Sequence, residues 1–167
     1  MFNGSKPDPV SSELRYNCCF IWVDVFLPVL NKYLKKRVDS ILDLGMVEEL
    51  EDFYNSTEFN SVSEIGLKKA IGVPEFKKYF GNDCTKFEED LYEEAVRNVK
   101  KNTCQLAKRQ MGKIQRLREG KWDLRRVDAT TSFKAARGLD SEKAAKIRER
   151  QVVETSVKIV NRFLKDE

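Results

Sequence analysis

Two lysines beside a turn are the first residues of this sequence that could do chemistry. They lie in the stretch Gly66-Leu-Lys-Lys-Ala-Ile-Gly-Val-Pro-Glu-Phe, where Lys68 and Lys69 precede Gly72 and Pro74. Turned inward, the two ammonium groups could neutralise substrate phosphates as point charges. The alternative is an ordinary solvated surface, and the residues alone favour it because most lysines in proteins are exposed.

Further cations recur on predicted helices. One stretch carries Lys108, Arg109 and Lys113. Arg109 and Lys113 are four residues apart, so their side chains project together from a helix and could grip one phosphate. Arg37 belongs to another basic run on an earlier helix. Charge runs on helices are usually solvated faces, so helix solubility is the alternative for both groups.

Several kinds of chemistry are excluded by residue types that the sequence lacks. It has no histidine, which excludes His-activated nucleophiles and mixed Cys/His zinc sites. The four cysteines have no metal-ligand spacing, and Cys18 and Cys19 lie in an apolar run that suits buried, reduced thiols. The phosphate-loop pattern G-x-x-x-x-G-K-S/T does not occur. Any proton transfer would therefore use carboxylates, lysine, tyrosine or cysteine.

The charge balance argues against a dedicated nucleic-acid binder. The chain has 31 basic and 27 acidic residues, a net charge of +4, which is a smaller excess than duplex-DNA binders usually show. A basic run surrounds Trp122, but neighbouring acids dilute it. We therefore do not expect a nucleic-acid partner, and any anion site must be local.

The elements that must position these cations are mainly helices. Residues 18–25 form a short run that is apolar on both faces, which is typical of a strand buried in a parallel sheet. Residues 122–127 are the one other strand candidate. We therefore expect further strands of the sheet to come from another segment or another chain. The predicted fold class is mainly α with one or two strands.

Helical periodicity accounts for most of the remaining sequence. The apolar pattern predicts helices over residues 27–42, 47–54, 63 or 64 to 70, 86–119 and 141–165, with Gly45 and Gly138 as breaks and residues 55–63 as a loop. The last helix is expected to bury six apolar side chains: Val152, Val153, Ile159, Val160, Phe163 and Leu164.

The beginning of the sequence predicts no targeting or membrane segment. Residues 1–14 read as a loop or frayed start, with neither a signal core nor transit-peptide character. The longest apolar stretch is interrupted by Asp24 and Pro28, so no membrane span is expected. The sequence predicts one cytoplasmic domain, or part of one, over residues 15–167.

Several stretches, taken in order, resemble the plant adenylate isopentenyltransferases. The matching stretches are residues 11–25, 34–39, 45–50, 66–76, 102–110, 127–130 and 156–160. The longest include Cys18-Cys-Phe-Ile-Trp-Val-Asp-Val and Asn102-Thr-Cys-Gln-Leu-Ala-Lys-Arg-Gln. The resemblance covers nearly the whole chain, from about residue 11 to the last helix.

The resemblance implies an enzyme of cytokinin biosynthesis. That family has a P-loop-kinase-like α/β fold and transfers a dimethylallyl group from dimethylallyl diphosphate to N6 of ATP, ADP or AMP, with Mg²⁺. In the family pattern the P-loop and the general-base aspartate precede the matched region. The resemblance therefore implies the C-terminal half of the domain, without catalytic residues or Mg²⁺ ligands. It also implies phosphate or diphosphate contacts from six cations: Arg37, Lys68, Lys69, Arg109, Lys108 and Lys113.

Three hypotheses remain open at this point. The first is a truncated adenylate dimethylallyltransferase that is inactive alone. The second is a non-catalytic module that binds a partner through exposed apolar surface. The third is a fragment of a tRNA dimethylallyltransferase, which shares the Leu-Ala-Lys-Arg-Gln element, although the histidines of the zinc finger common in its eukaryotic versions are absent here. Family members also occur in plastids or mitochondria.

Overall fold

Two parallel strands and a series of helices make up the described chain. The computed structural model describes residues 16–56, 66–81, 87–120, 122–138 and 140–165; the predicted loop over residues 1–14 and Cys84 lie outside these ranges. In chain order the elements are β1 (Phe20–Asp24), α1 (Leu27–Asp43), α2 (Met46–Asn55), a 3₁₀ turn (Leu67–Lys69), α3 (Val73–Phe80), α4 (Glu88–Glu119), β2 (Leu124–Asp128), α5 (Thr130–Gly138), α6 (Ser141–Arg148), a π-helical turn (Glu149–Val153) and α7 (Glu154–Phe163). The predicted class, mainly α with one or two strands, is confirmed. None of the described helices is long and apolar enough to cross a membrane.

The two strands form a parallel pair, with Asp24 opposite Asp128. This confirms both predicted strands and their parallel type. Val23 and Val127 are partners in the strand register, yet their burial differs sharply. Val127 is 1% exposed, whereas Val23 is 51% exposed. The expectation that β1 is buried on both faces is therefore wrong within the described residues, since none of them covers Val23.

Gly45 ends α1 and begins α2. Its φ of 99° is left-handed, a conformation that glycine adopts without the steric penalty of a Cβ. Pro28 stands in the first turn of α1, where a backbone N–H has no intrahelical partner. Both helices consequently begin and end within one or two residues of the predicted bounds.

The main hydrophobic core lies between α1, α2, α3 and the first half of α4. Six buried side chains form it: Val38, Leu50, Val73, Phe76, Ala95 and Val99. Burying each large apolar side chain contributes roughly 1.5–3 kcal/mol. α4 has 32 residues and is therefore about 48 Å long, so its second half extends past this core. Leu106 and Leu117, which continue the apolar pattern, are exposed there.

A short helix that the apolar pattern does not predict, α5, ties the ends of the two strands together. Asp128 Oδ1 accepts a hydrogen bond from the Thr130 backbone N–H at 2.8 Å. The Thr130 hydroxyl oxygen accepts one from the Phe26 backbone N–H at 2.9 Å. Val25, Val29 and Ala129 form a second buried cluster beside these bonds. The polar cap at Asp128, rather than an apolar period, is the local signal for this helix.

The C-terminal helix is continuous, as predicted, but its burial differs from the prediction. The π-helical turn Glu149–Val153 lies between α6 and α7 without a break, and the backbone at both junctions stays right-handed helical. None of the six apolar side chains expected to be buried is fully buried. Val160 and Leu164 are exposed, because α7 turns the face that carries Ile159 and Phe163 toward the start of β1. Val152 alone of the six packs against the second cluster.

A single 3₁₀ turn replaces the predicted helix from residue 63 or 64 to 70. The turn covers Leu67–Lys69 and follows Gly66, whose φ of 103° is incompatible with a right-handed helix. Residues 57–65, which contain most of the predicted loop and the predicted start of this helix, lie outside the described ranges.

Candidate phosphate-binding site

An apolar cavity opens beside the main core. Its volume is about 450 Å³, and it lies between α1, α2, α4 and the segment from Ala70 to Val73 that leads into α3. Ten apolar side chains line it: Leu34, Val38, Ile41, Met46, Leu50, Phe53, Ala70, Ile71, Val73 and Val99. Arg37, Glu49 and Thr103 complete the lining. The space suits a small apolar group with a cation at its edge.

One of the predicted site residues, Arg37, lines this cavity from α1. Lys68 and Lys69 do not line it, but they directly precede two residues that do, Ala70 and Ile71. Lys69 and Arg37 are exposed, whereas Lys68 is half-buried. Long cationic side chains can cover apolar surface while their charged ends stay in solvent.

Two glycines with positive φ, Gly66 and Gly72, lie on either side of the 3₁₀ turn Leu67–Lys69, called the lysine turn below. The Lys69 N–H donates to the Gly66 carbonyl at 2.9 Å, and the Val73 N–H donates to the Ala70 carbonyl at 3.1 Å. Gly72 has a φ of 106°, a conformation that residues with a Cβ rarely adopt, and a Cβ at this position would also push Met46 Cε aside. The backbone conformation therefore favours glycine here.

Glu75 connects the lysine turn to the long helix. Its Oε2 accepts a hydrogen bond from the Gly72 N–H at 2.8 Å, and its Oε1 accepts one from Asn102 Nδ2 at 2.6 Å. The Tyr54 hydroxyl donates to the Val73 carbonyl beside them. Burial, and then the negative charge of Glu75, raise the pKa of Tyr54 above its ordinary value.

The remaining three predicted cations lie on two different sides of α4. Successive helical residues are about 100° apart, so Arg109 and Lys113 lie within about 20° of Asn102 around the helix axis. They therefore share the face that Glu75 contacts. Lys108 lies about 120° away from Asn102 on the same count. The structure thus groups Arg109 with Lys113 and separates Lys108 from both.

Lys108 instead lines a second groove, of about 460 Å³, between α1 and α4. Other cations share it: Lys35, Arg97, Lys100 and Lys101. Two of these are paired with acids, Lys100 with Asp39 and Arg97 with Glu93. No residue lines both this groove and the apolar cavity.

Carboxylates at the strand ends do not form a metal site. Asp24 and Asp128 end neighbouring strands, but Arg126 lies between them, 2.7 Å from Asp24 and 3.8 Å from Asp128. Within the described ranges no group of three or more Asp, Glu or Cys residues could hold a metal ion. Mg²⁺ is usually held by one or two carboxylates together with water and substrate phosphates, and here the Arg126 guanidinium occupies the space beside the two strand-end carboxylates.

Sequence reasoning did not single out Glu75 and Asn102 as site residues. The sequence did carry a signal for Glu75, because a glutamate three residues after an N-cap position is typical of a capping box. The partner of its second oxygen lies 27 residues further along the chain. No local pattern predicts that contact.

Comparison with known proteins provides the family context of this site. A model of the IPP transferase family matches residues 2–116. The chain is 52% identical to an adenylate isopentenyltransferase of Humulus lupulus, over 98% of this chain and 55% of that protein. It is 46% identical to the chloroplastic adenylate isopentenyltransferase 1 of Arabidopsis thaliana, over 93% of this chain and 46% of that protein.

A third relative extends the range of cellular compartments. The mitochondrial adenylate isopentenyltransferase 7 of Arabidopsis thaliana is 43% identical, over 89% of this chain and 45% of that protein. The chain spans about half the length of the curated relatives it matches. The names of these relatives favour the adenylate enzymes over the tRNA enzymes.

Proposed function

Because the chain belongs to the IPP transferase family, we propose that it serves adenylate isopentenyl transfer in cytokinin biosynthesis. The reaction moves a dimethylallyl group from dimethylallyl diphosphate to N6 of an adenine nucleotide. The observation that carries the proposal is an apolar cavity that is lined by Arg37 and by the two residues directly after Lys69, Ala70 and Ile71. A substrate with a short apolar chain and a diphosphate needs that combination.

The proposed roles follow from the charge that develops in the reaction. As the bond between carbon and the diphosphate oxygen breaks, negative charge accumulates on the departing oxygens. Fixed cations stabilise that charge more strongly in the transition state than in the bound substrate. We assign this role to Arg37, Lys68 and Lys69 and to Arg109 and Lys113, with Lys108 as an outer contact. The apolar lining keeps water away from the reacting carbon.

Other parts of the reaction are assigned to the region of the relatives that this chain does not match. We propose that residues 15–167 form the C-terminal half of a P-loop-kinase-like domain. The phosphate loop, the general base and the ligands of Mg²⁺ would belong to the other half. Mg²⁺ would neutralise phosphate oxygens during transfer. The cytoplasmic location expected from the sequence stays a prediction.

A chimeric enzyme tests the proposal. This chain replaces the matching region of the Humulus lupulus relative, and transfer from dimethylallyl diphosphate to ADP is measured. We expect activity, and we expect Lys68→Ala with Lys69→Ala to lower kcat/KM by about tenfold or more. The matched control is Lys143→Ala with Lys146→Ala, which removes two exposed lysines of α6. A folded chimera without activity would contradict the proposal, and transfer by this chain alone would contradict the division of roles.

A second candidate function is association with a protein partner, and one surface favours it. Val157 and Val160 on α7 and Leu164 directly after it recur three and four residues apart and are 50%, 37% and 58% exposed. Such a stripe usually packs against another element or another chain. Sedimentation of the purified chain tests this function, with Val157→Lys and Leu164→Lys expected to reduce self-association and binding of an apolar dye. A monomer with little dye binding would count against it.

A further inference from the structure

We propose that Glu75 is a positioning residue that holds two parts of the cationic site in register. One part is the 3₁₀ turn Leu67–Lys69, and the other is the face of α4 that carries Arg109 and Lys113. Glu75 acts on the turn through Gly72 and on α4 through Asn102. The inference rests on the proposed function for its substrate, a diphosphate, and on the described contacts for its geometry.

Both carboxylate oxygens of Glu75 are used. One accepts from the Gly72 N–H at 2.8 Å and so holds the start of α3. The other accepts from Asn102 Nδ2 at 2.6 Å, in the partly buried space between α3 and α4. Hydrogen bonds to an ionised acceptor are roughly twice as strong as neutral ones. One side chain therefore ties Gly72, the residue just before α3, to Asn102 on α4.

The spacing of the cations makes this tie important for binding. Lys69 lies three residues before Gly72, and Arg109 lies seven residues after Asn102, about 10 Å along the helix axis. The two sets of cations belong to different elements, and the core that Phe76 shares with Ala95 and Val99 already packs α3 against α4. A diphosphate can bridge the two sets only if the elements keep their relative position, since binding groups must be held within about 0.5 Å. Glu75 and Asn102 add a directional polar contact to this apolar packing without touching the anion.

The chemistry of the pair allows a swap that separates positioning from simple loss of a contact. Asn102→Asp places a second carboxylate beside Glu75, so the hydrogen bond is lost and the charges repel. Adding Glu75→Gln restores a donor and an acceptor, because the new amide oxygen accepts from the Gly72 N–H and the new amide nitrogen donates to the carboxylate introduced on α4. The matched control is Asn98→Asp, which adds the same charge one helical turn away in the same groove.

The first measurement is binding of inorganic pyrophosphate to the 167-residue chain by calorimetry. We expect Asn102→Asp to weaken binding about tenfold, which is the loss of one charge-assisted hydrogen bond. The double variant should recover to within about threefold, and Asn98→Asp should stay within about twofold. Equal losses in Asn102→Asp and Asn98→Asp, no recovery in the double variant, or no binding by the unchanged chain would overturn the inference.

The second measurement distinguishes positioning from a purely structural role. If Glu75 acts through the lysine turn, Asn102→Asp should cost much less pyrophosphate affinity in a Lys69→Ala background. Its effect on the thermal midpoint should be the same in both backgrounds. Equal affinity losses with and without Lys69 would overturn the inference even if the midpoint falls.

Failure of the proposed function would look different. Pyrophosphate binding needs no transfer reaction, so an inactive chimera beside the expected binding pattern would sink the transferase assignment and leave the positioning role standing. An active chimera whose KM and kcat do not change with Asn102→Asp would contradict the positioning role and leave the transferase assignment standing.

Discussion

Arg126 and Asp24 join the two strands through two short contacts. Arginine Nε and Nη2 each lie 2.7 Å from Asp24 Oδ2, and the two residues are 102 positions apart in sequence. Asp24 is 9% exposed, and the guanidinium carbon lies 5.9 Å from the centroid of the Trp22 ring. Removing one charge would leave the other partly desolvated and unpaired, so the pair is expected to stabilise the sheet.

Asp24→Asn should lower the free energy of unfolding by about 1–2 kcal/mol, because Arg126 loses its ionised acceptor while remaining partly exposed. The control is Asp123→Asn, which removes an exposed pair with Arg125 and should cost at most about 1 kcal/mol. Urea unfolding of the two variants measures the difference. Equal losses would show that the strand pair does not depend on this contact.

Gly72→Ala and Gly112→Ala should change stability in opposite directions. A Cβ at Gly72 meets Met46 with φ at 106°, so we expect a loss of about 1–3 kcal/mol. Gly112 lies inside α4 with no atom near a new Cβ, so alanine should stabilise by roughly 0.5–1 kcal/mol. Thermal unfolding measures both changes. A stabilised Gly72→Ala variant would contradict the described geometry of the turn.

Arg109→Ala and Lys108→Ala should differ in the chimera although the residues are adjacent. Arg109 shares a helix face with Asn102, whereas Lys108 lines the other groove. We expect kcat/KM to fall about tenfold or more for Arg109→Ala and about threefold or less for Lys108→Ala. Steady-state kinetics at fixed salt measures both. A larger loss for Lys108→Ala would place the anion in the groove between α1 and α4.

Asp128→Asn should flatten the acid branch of the stability curve. Hydrogen bonds from the side chain and backbone of Thr130 lower the pKa of Asp128 below its ordinary value. The stabilisation is therefore fully present above the unfolded pKa of about 3.9 and is lost as pH falls through the lower folded pKa. Urea unfolding between about pH 5 and pH 2 should show a smaller decline in the variant. Parallel curves for both proteins would contradict this assignment.

Local pattern was enough to predict much of the fold. Gly45, Pro28 and the apolar period place α1 and α2 closely, and the β-rich run around Trp22 identifies β1 as one strand of a parallel pair. These features depend on the backbone preferences of a few residues and on which face is apolar. Both are written in short windows of sequence.

Burial was harder to predict because it depends on what lies opposite. Leu106 and Leu164 continue correct helical periods but are exposed, since their helices extend beyond the described core or pack on one face only. The site shows the same limit. The four-residue spacing was enough to predict that Arg109 and Lys113 share a helix face. The contact between Glu75 and Asn102 spans 27 residues and depends on how α3 packs on α4, so no local pattern predicts it.

The order of synthesis gives the strand pairing a further consequence. A ribosome adds about 5–20 residues per second, so the first strand waits on the order of 5–20 s before the second emerges. During that interval the backbone N–H and C=O groups of β1 have no partner strand, and the rings of Phe20 and Trp22 lack Trp122 and Arg126, which later contact them. Holding chaperones bind such segments, and the yield of folded protein in a cell should therefore depend on translation speed between the two strands.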